Sequence, residues 1–249
     1  MSRRRFYVPR DCIHGSIALL PPDQTHHLRN VLRLKAGDAV ELFDGEGSAY
    51  AGLVEGFDGQ VRIASLKRLE SSTDSGRSLI LVQALLKSDK FEWVLQKATE
   101  LGVREIMPVE TQFCNVSLKG SKVRARLERW NRIALEAAKQ CGRATVPQVH
   151  APLHLTELLR RFVTSNSSKI LFCEKASLRW DATVQVHDNA ILCIGPEGGW
   201  HPGEVEAAAQ AGFRAFNLGP RILRAETAAL AALVLVQFHT GDRAVRKAR

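Results

Sequence analysis

Two short segments of this chain combine glycine with charge in a way that can do chemistry. The first, Ile194-Gly195-Pro196-Glu197-Gly198-Gly199, follows the apolar run Ala190 to Cys193 and leads into Trp200-His201-Pro202-Gly203-Glu204. Glycine allows close backbone approach and dihedrals that other residues avoid, and Pro196 stiffens the turn. A loop delivered by the carboxyl end of a strand is where open α/β sheets hold their ligands; a bare strand-to-helix turn has the same local pattern. A phosphate loop fits badly, because the chain carries no Gly-Lys-Ser/Thr of the Walker type and no early G-x-G-x-x-G. The Glu197 carboxylate would repel phosphate, whereas it tolerates a sulfonium, an amine or ribose hydroxyls.

The second segment is Leu218-Gly219-Pro220-Arg221-Ile222-Leu223-Arg224-Ala225-Glu226-Thr227-Ala228, again after an apolar run and before another. Arg221, Arg224 and Glu226 make poor core filling, since an unpaired buried charge costs several kcal/mol. Glu226 has an alternative use, pairing with the positive end of a helix dipole. Two glycine-edged clusters at one sheet edge read as one site.

The elements that must position these clusters follow from periodicity. Beyond the polar stretch Glu70 to Gly76, the apolar strand Leu79 to Leu86 precedes a helix whose Phe91, Val94, Leu95, Ala98 and Leu101 share a face, with Asp89-x-x-Glu92 as its capping box. Strands near 103–109, 169–173, 190–194 and 214–218 alternate with helices near 122–141, 156–163, 202–211 and 225–239, the pattern of a mainly parallel α/β sheet. The last helix is apolar nearly all round and therefore needs cover on most sides.

Before the polar stretch the texture differs. Short alternating runs such as Ala39 to Phe43 and Gln60 to Ile63, cut by Gly37-Asp38, Asp44-Gly45 and Asp58-Gly59, read as a small β-barrel. One helix from Asp23 to Leu34 interrupts it, with Leu28, Val31 and Leu32 inward and His27, Arg29, Asn30 and Arg33 outward. The division is thus a barrel at 1–70, a linker at 71–78 and an α/β domain at 79–249.

The 35 Lys and Arg against 26 Asp and Glu leave a net charge of +9, an excess that favours a polyanionic partner. The candidate nucleic-acid contacts are Arg3, Arg4, Arg5, Arg10, Arg29, Arg33 and Lys35, with Lys67 and Arg68 as weaker additions; Arg143, after the 122–141 helix, is a partner for that helix's C-terminal dipole or, on the family resemblance given below, a substrate or subunit contact. A solvated charged face explains any one of them equally well. Five scattered cysteines with no C-x-x-C pair argue against a disulfide or metal framework. Without an apolar run long enough to span a bilayer, the reading is a cytoplasmic protein with no membrane and no metal.

The motifs together resemble the RsmE family of 16S ribosomal RNA uridine-N3 methyltransferases, of the SPOUT superfamily. The resemblance rests on His27-Leu28 through Val31-Leu32-Arg33 with Gly37-Asp38, Gln96 to Val103, Glu136 to Arg143 with Pro147, Ile194 to Gly199, and Leu218 to Ala228. The chain departs from the family pattern at Ala225, at Trp200-His201 and at Lys87-Ser88-Asp89-Lys90. The resemblance implies a PUA-like barrel followed by a trefoil-knotted SPOUT domain, acting as a homodimer on 16S ribosomal RNA or the small ribosomal subunit. It implies S-adenosylmethionine as methyl donor, held by Ile194, Gly195, Pro196, Glu197, Gly198, Gly199, Leu218, Gly219, Ile222, Leu223, Arg224 and Thr227, with adenine against backbone groups near Leu218, Gly219, Ile222 and Leu223.

Uridine N3 is protonated at neutral pH, so its methylation needs a proton acceptor and a cation to balance the charge left on the ring. The candidates are Glu226 or Glu197 as acceptor, Glu197 having the alternative role of holding the donor, and Arg224 as cation. A SPOUT ribose 2′-O methyltransferase would share Gly-Pro-Glu-Gly but end in an Asn/Ser-rich motif. A non-catalytic RNA-binding or assembly protein would have no use for two glycine-edged clusters.

Overall fold

The computed structural model describes residues 4–56, 59–70, 78–117, 120–181, 183–187 and 189–239. The chain forms two compact units, Met1–Asp74 with Leu135–Val146, and Ser75–Ala134 with Pro147–Arg249. Chain order alone does not place residues 135–146 with the first of these. Of the expected linker at 71–78, all but Ser78 lies outside the described residues.

The first unit contains β1 (Arg5–Tyr7), β2 (Ile13–His14), β3 (Ile17–Leu19), α1 (Pro22–His26), β4 (Ala39–Phe43), β5 (Ala49–Gly56) and β6 (Arg62–Leu69). These strands form a six-stranded sheet in the order β1-β4-β5-β6-β3-β2, with β1 and β4 parallel and the other pairs antiparallel. Alternation sends Val40 and Leu42 inward to a core with Phe6, Leu28 and Ile63, while Glu41 between them points elsewhere.

The helix expected from Asp23 to Leu34 is shorter and changes type. α1 ends at His26, and His27–Val31 forms a π turn in which the Leu32 amide reaches back to the His27 carbonyl at 3.0 Å. The wider turn breaks the 3.6-residue period. Leu28 stays fully buried, but Val31, expected inward, is exposed. Arg33 then closes the segment at φ 53°, a left-handed conformation uncommon for a side chain with a Cβ.

The second unit alternates strand and helix: β7 (Leu79–Ala84), α2 (Ser88–Glu100), β8 (Glu105–Glu110), α3 (Ser121–Cys141), β9 (Gln148–Val149), β10 (Leu153–His154), α4 (Leu155–Phe162), β11 (Ser168–Phe172), β12 (Ala190–Ile194), α5 (Pro202–Gln210), β13 (Arg214–Phe216) and α6 (Ala225–His239). Residues from 135 in α3 belong to the first unit. All its strand pairs are parallel, in the order β10-β8-β7-β12-β11-β13 with β9 also on β8. A parallel sheet is covered on both faces and so reads as continuous apolar runs; all five residues of β12 are buried.

The expected capping box at Asp89-x-x-Glu92 does not form. α2 starts at Ser88 with Lys87 as cap residue and no side-chain cap bond. Glu92 is spent elsewhere, accepting from Arg129 Nε and Nη2 at 2.6 and 2.7 Å and from Arg126 at 3.3 Å. α6 packs on α2 and is tied to its end where the Gln237 amide donates to the Leu101 carbonyl. No helix among the described residues is long and apolar enough to cross a membrane.

Candidate functional site

The sheet register brings the two glycine-edged segments together. Phe172, the last residue of β11, pairs with Ile194 at the end of β12 and with Phe216 at the end of β13. Three neighbouring strands therefore end at one level. The chain that leaves each of them, Cys173-Glu174, Gly195 to Trp200, and Leu218-Gly219 with Arg221 to Ala225, lines one cavity of about 400 Å³. That is the size range of small-molecule and cofactor sites.

Local geometry explains the residue types. Gly199 has φ +72°, a conformation that calls for glycine, and a Cβ there would stand 2.8 Å from Glu174 Oε1, the movable end of a side chain. Under the loop, the Trp200 indole donates to the Phe172 carbonyl at 2.9 Å and lies so close to Gly195 that a Cβ would meet Nε1 at 3.0 Å. Trp200 thus pins the loop to the end of β11. His201 caps α5: its Nδ1 accepts from the Gly203 amide at 3.1 Å, and Glu204 accepts from the His201 amide at 2.9 Å.

Of the residues expected to bind a ligand, Ile194 to Gly199, Leu218, Gly219, Ile222, Leu223 and Arg224 line the cavity, while Glu226 and Thr227 do not. Phe172, Cys173 and Glu174 line it without having been expected, and Ala228, in α6, closes the second segment. The only signal for the first three is strand order: β11 lies between β12 and β13, and nothing local in Cys173-Glu174 announces that. Burial pushes the Cys173 thiol up from its ordinary range. Ile222 is 85% exposed at the rim, an apolar side chain standing in water.

The charges are unevenly partnered. Lys90, from the first turn of α2, donates to Glu197 Oε1 at 3.2 Å and lies 3.6 Å from Glu226 Oε2. That Glu226 oxygen is buried and accepts no hydrogen bond from the described residues. Arg221 and Arg224 are exposed. Lys97 and Glu100, on the far end of α2, pair with each other at 2.8 Å, as their spacing alone explains.

The expected RNA contacts divide. Arg3 lies outside the described residues. Arg4 pairs with the half-buried Asp38 at 2.9 Å, and Arg10 with Glu46 at 3.2 Å largely in solvent. The amide of Lys35 donates to Asp38, and this bond above all, with Arg4, holds the Asp38 carboxyl below its usual range. Arg29, Arg33 and Lys35 are exposed. Arg5 and Arg143 are corrections, since both are buried. The Arg5 guanidinium is committed inside the unit, to Glu41 at 2.6 Å, to the Ala138 carbonyl at 3.0 Å and over the Phe43 ring at 4.3 Å. Arg143 sits in the turn after α3, beside Ala144, which packs with Phe43 and Ala49. Among the described residues no group of three or more His, Cys, Asp or Glu side chains is arranged to hold a metal ion.

Comparison with known proteins agrees with this geometry. Residues 73–237 match the RNA methyltransferase domain family and residues 20–59 the RNA methyltransferase PUA domain family. A Ribosomal RNA small subunit methyltransferase E of Buchnera aphidicola is 30% identical over 96% of this chain and 97% of its own. The crystal structure of a Neisseria gonorrhoeae Ribosomal RNA small subunit methyltransferase E bound to S-adenosyl methionine superimposes with TM-score 0.86 at 33% identity, covering 95% of this chain and 97% of that one. A putative methyltransferase of Legionella pneumophila, in complex with the bound cofactor SAM, superimposes with TM-score 0.83 at 31% identity over 96% and 98%.

Proposed function

Because this chain belongs to the RNA methyltransferase family that includes the ribosomal RNA small subunit methyltransferases E, we propose that it transfers a methyl group from S-adenosylmethionine to N3 of a uridine in 16S ribosomal RNA. One observation carries the reading: the register of β11, β12 and β13 gathers Glu197, Arg224 and two glycine-edged loops around a single cavity. The residues present fit the donor. Glu174 and Glu197 offer carboxylates to an ammonium, a sulfonium or ribose hydroxyls, and Leu218, Ile222 and Leu223 offer apolar surface to a purine. When bound, the donor supplies a methyl group on a sulfonium, whose C–S bond electrons remain on sulfur as a neutral thioether.

The chain's own residues supply the rest. Ile194 to Gly199 and Leu218 to Leu223 hold and orient the donor. A carboxylate, Glu226 or Glu197, accepts the N3 proton, and Arg224 balances the charge left on the uridine oxygens. Neither Arg221 nor Arg224 is held by another described side chain, which leaves both guanidinium groups available to a substrate. Exposed Arg4, Arg10, Arg29, Arg33 and Lys35 make the phosphate contacts that position RNA.

Homodimer formation covers the apolar residues that α6 and α2 leave in solvent, Val234, Phe238 and Trp93. The same reading has the segment before α6 threaded as a trefoil knot. It also makes the protein cytoplasmic, where its substrate is assembled. The test is nucleoside mass spectrometry of ribosomal RNA from a strain lacking this gene. N3-methyluridine is expected to be missing from the small-subunit RNA and to return on complementation, and its persistence would remove the assignment.

A further inference from the structure

The turn that leaves β8 stands against the glycine loop and carries an aromatic ring that the methyl-transfer reading leaves unused. Thr111 to Cys114 close on themselves, the Cys114 amide donating to the Thr111 carbonyl at 3.2 Å. Glu204 of α5 fastens this turn: one carboxylate oxygen accepts from the Gln112 amide at 2.8 Å while the other accepts from the His201 amide at 2.9 Å. A Cβ on Gly198 would meet the Phe113 Cβ at 2.8 Å and the Phe113 carbonyl oxygen at 3.3 Å. Gly198 is therefore glycine because the turn packs against it. That contact uses the backbone and Cβ of residue 113, atoms that nearly every residue has, so the Phe113 ring is surplus to it.

The ring is 42% exposed, and its centroid lies 5.8 Å from that of the exposed His201 at an interplanar angle of 61°. His201 is itself fixed, since its Nδ1 caps α5. The two rings make a rigid corner open to solvent. Gly198, against Phe113, lines the donor cavity, and His201 lines a second cavity of about 470 Å³ with Glu110, Ser117, His154 and Glu204. The corner thus borders both.

We propose that Phe113 and His201 form a stacking site for an unpaired base of the substrate RNA, next to the base that is methylated. The inference rests on the function proposed above. A uridine whose N3 is to meet a methyl group inside a cavity must leave whatever stack it occupies in the RNA, and its neighbour then loses a stacking partner. An exposed ring beside the cavity replaces that partner, and it accepts any base because each has a π face. Glu110 and Glu204 in the second cavity disfavour a phosphate there, whereas carboxylates suit the amino and hydroxyl groups of a base and its ribose.

The experiment measures RNA affinity and methyl transfer by the full chain with small-subunit ribosomal RNA and S-adenosylmethionine, for Phe113→Ala, Phe113→Leu, Phe113→Trp and His201→Asn. Asn keeps a cap on α5 and removes the ring. Phe113→Ala is expected to raise Kd and KM for RNA by about tenfold, within the range that one base–aromatic stack contributes. Phe113→Leu stays within about threefold of Phe113→Ala, and Phe113→Trp returns to within about twofold of the unaltered chain, since Trp alone of the three restores a π face. His201→Asn raises both constants by about threefold. The kcat at saturating RNA and the donor affinity read by calorimetry stay within about threefold, and the salt slope of RNA affinity does not move, because a stack releases no counterions.

Weaker donor binding with RNA affinity intact would overturn the proposal and leave Phe113 a brace of the glycine loop. Phe113→Leu performing as well as Phe113→Trp would overturn it in favour of apolar packing, and a lower salt slope in His201→Asn would put a phosphate at the corner instead of a base. RNA affinity that ignores Phe113 brings down this inference alone, whereas no transfer by the unaltered chain brings down the methyltransferase reading itself.

Discussion

The carboxyl edge of the seven-stranded sheet and the basic surface of the first unit both collect charge, and they hold it by different means. At the sheet edge each charged residue leaves the end of a strand or opens a helix, so the register of β11, β12 and β13 delivers Glu174, Glu197 and Arg224 to one cavity. On the first unit, Arg4 and Arg10 are paired in solvent, Arg5 is inside, and only part of the basic set stands clear of internal partners. Charge that follows from strand geometry is convergent, whereas charge that follows from composition is dispersed. Isolated surface pairs contribute little, with a median of about 0–1 kcal/mol, and so do not keep Arg4 or Arg10 from a stronger partner.

Substitutions can break that contrast. The largest expected effect is at the edge: Arg224→Ala lowers the single-turnover rate by roughly 10²–10³-fold, the loss on removing one charge-stabilising donor, while the melting temperature stays put because the side chain is exposed. A rate within a factor of two of the unaltered chain would show that convergence at this edge is not catalytic.

Arg5→Ala makes the opposite test. It should destabilise by about 2–4 kcal/mol through the lost packing over Phe43 and the lost pairing with Glu41, read as a lower denaturant midpoint. RNA affinity per folded molecule should not change. Weakened RNA binding with stability intact would return Arg5 to the basic face.

Arg29→Gln with Arg33→Gln is expected to lower the slope of log affinity against log salt by about two, roughly one per lost phosphate contact, without changing which sequences bind. An unchanged slope would move the RNA platform away from the π turn.

The smallest effect concerns His27 in the same turn. Burial first, and Lys139 second, lower its pKa below the ordinary 6.5. A histidine with a depressed folded pKa is charged more readily when unfolded, so the unfolded state gains protons first as pH falls. Stability should therefore decline as pH drops below about 6.5 and level off beneath the folded pKa. His27→Gln should flatten that stretch of the stability curve, and a slope equal to that of the unaltered chain would show that His27 does not carry it.

Much of the second unit was legible because its signals are local. Continuous apolar runs end at glycine, helical periods follow, and β12 and α6 occupy the residues their patterns predict, Ala190–Ile194 and Ala225–His239. The grouping of Ile194 to Gly199 with Leu218 to Arg224 needed only the rule that parallel strands present their loops at one edge. The π turn at His27–Val31 was not legible, because one added residue per turn shifts the phase of every side chain after it.

Sequence by itself determined the main strands and helices of the second unit, which loops carry glycine and charge, and that the whole is basic, since each of these depends on residues close together in the chain. Only the tertiary structure decided that β11 lies between β12 and β13, bringing Phe172 and Glu174 to the cavity, and that Arg5 turns inward to Glu41. The same is true of Lys90, which reaches Glu197 and Glu226 across long separations in the chain. Such contacts depend on strand order and packing, which no spacing of residues along one segment encodes.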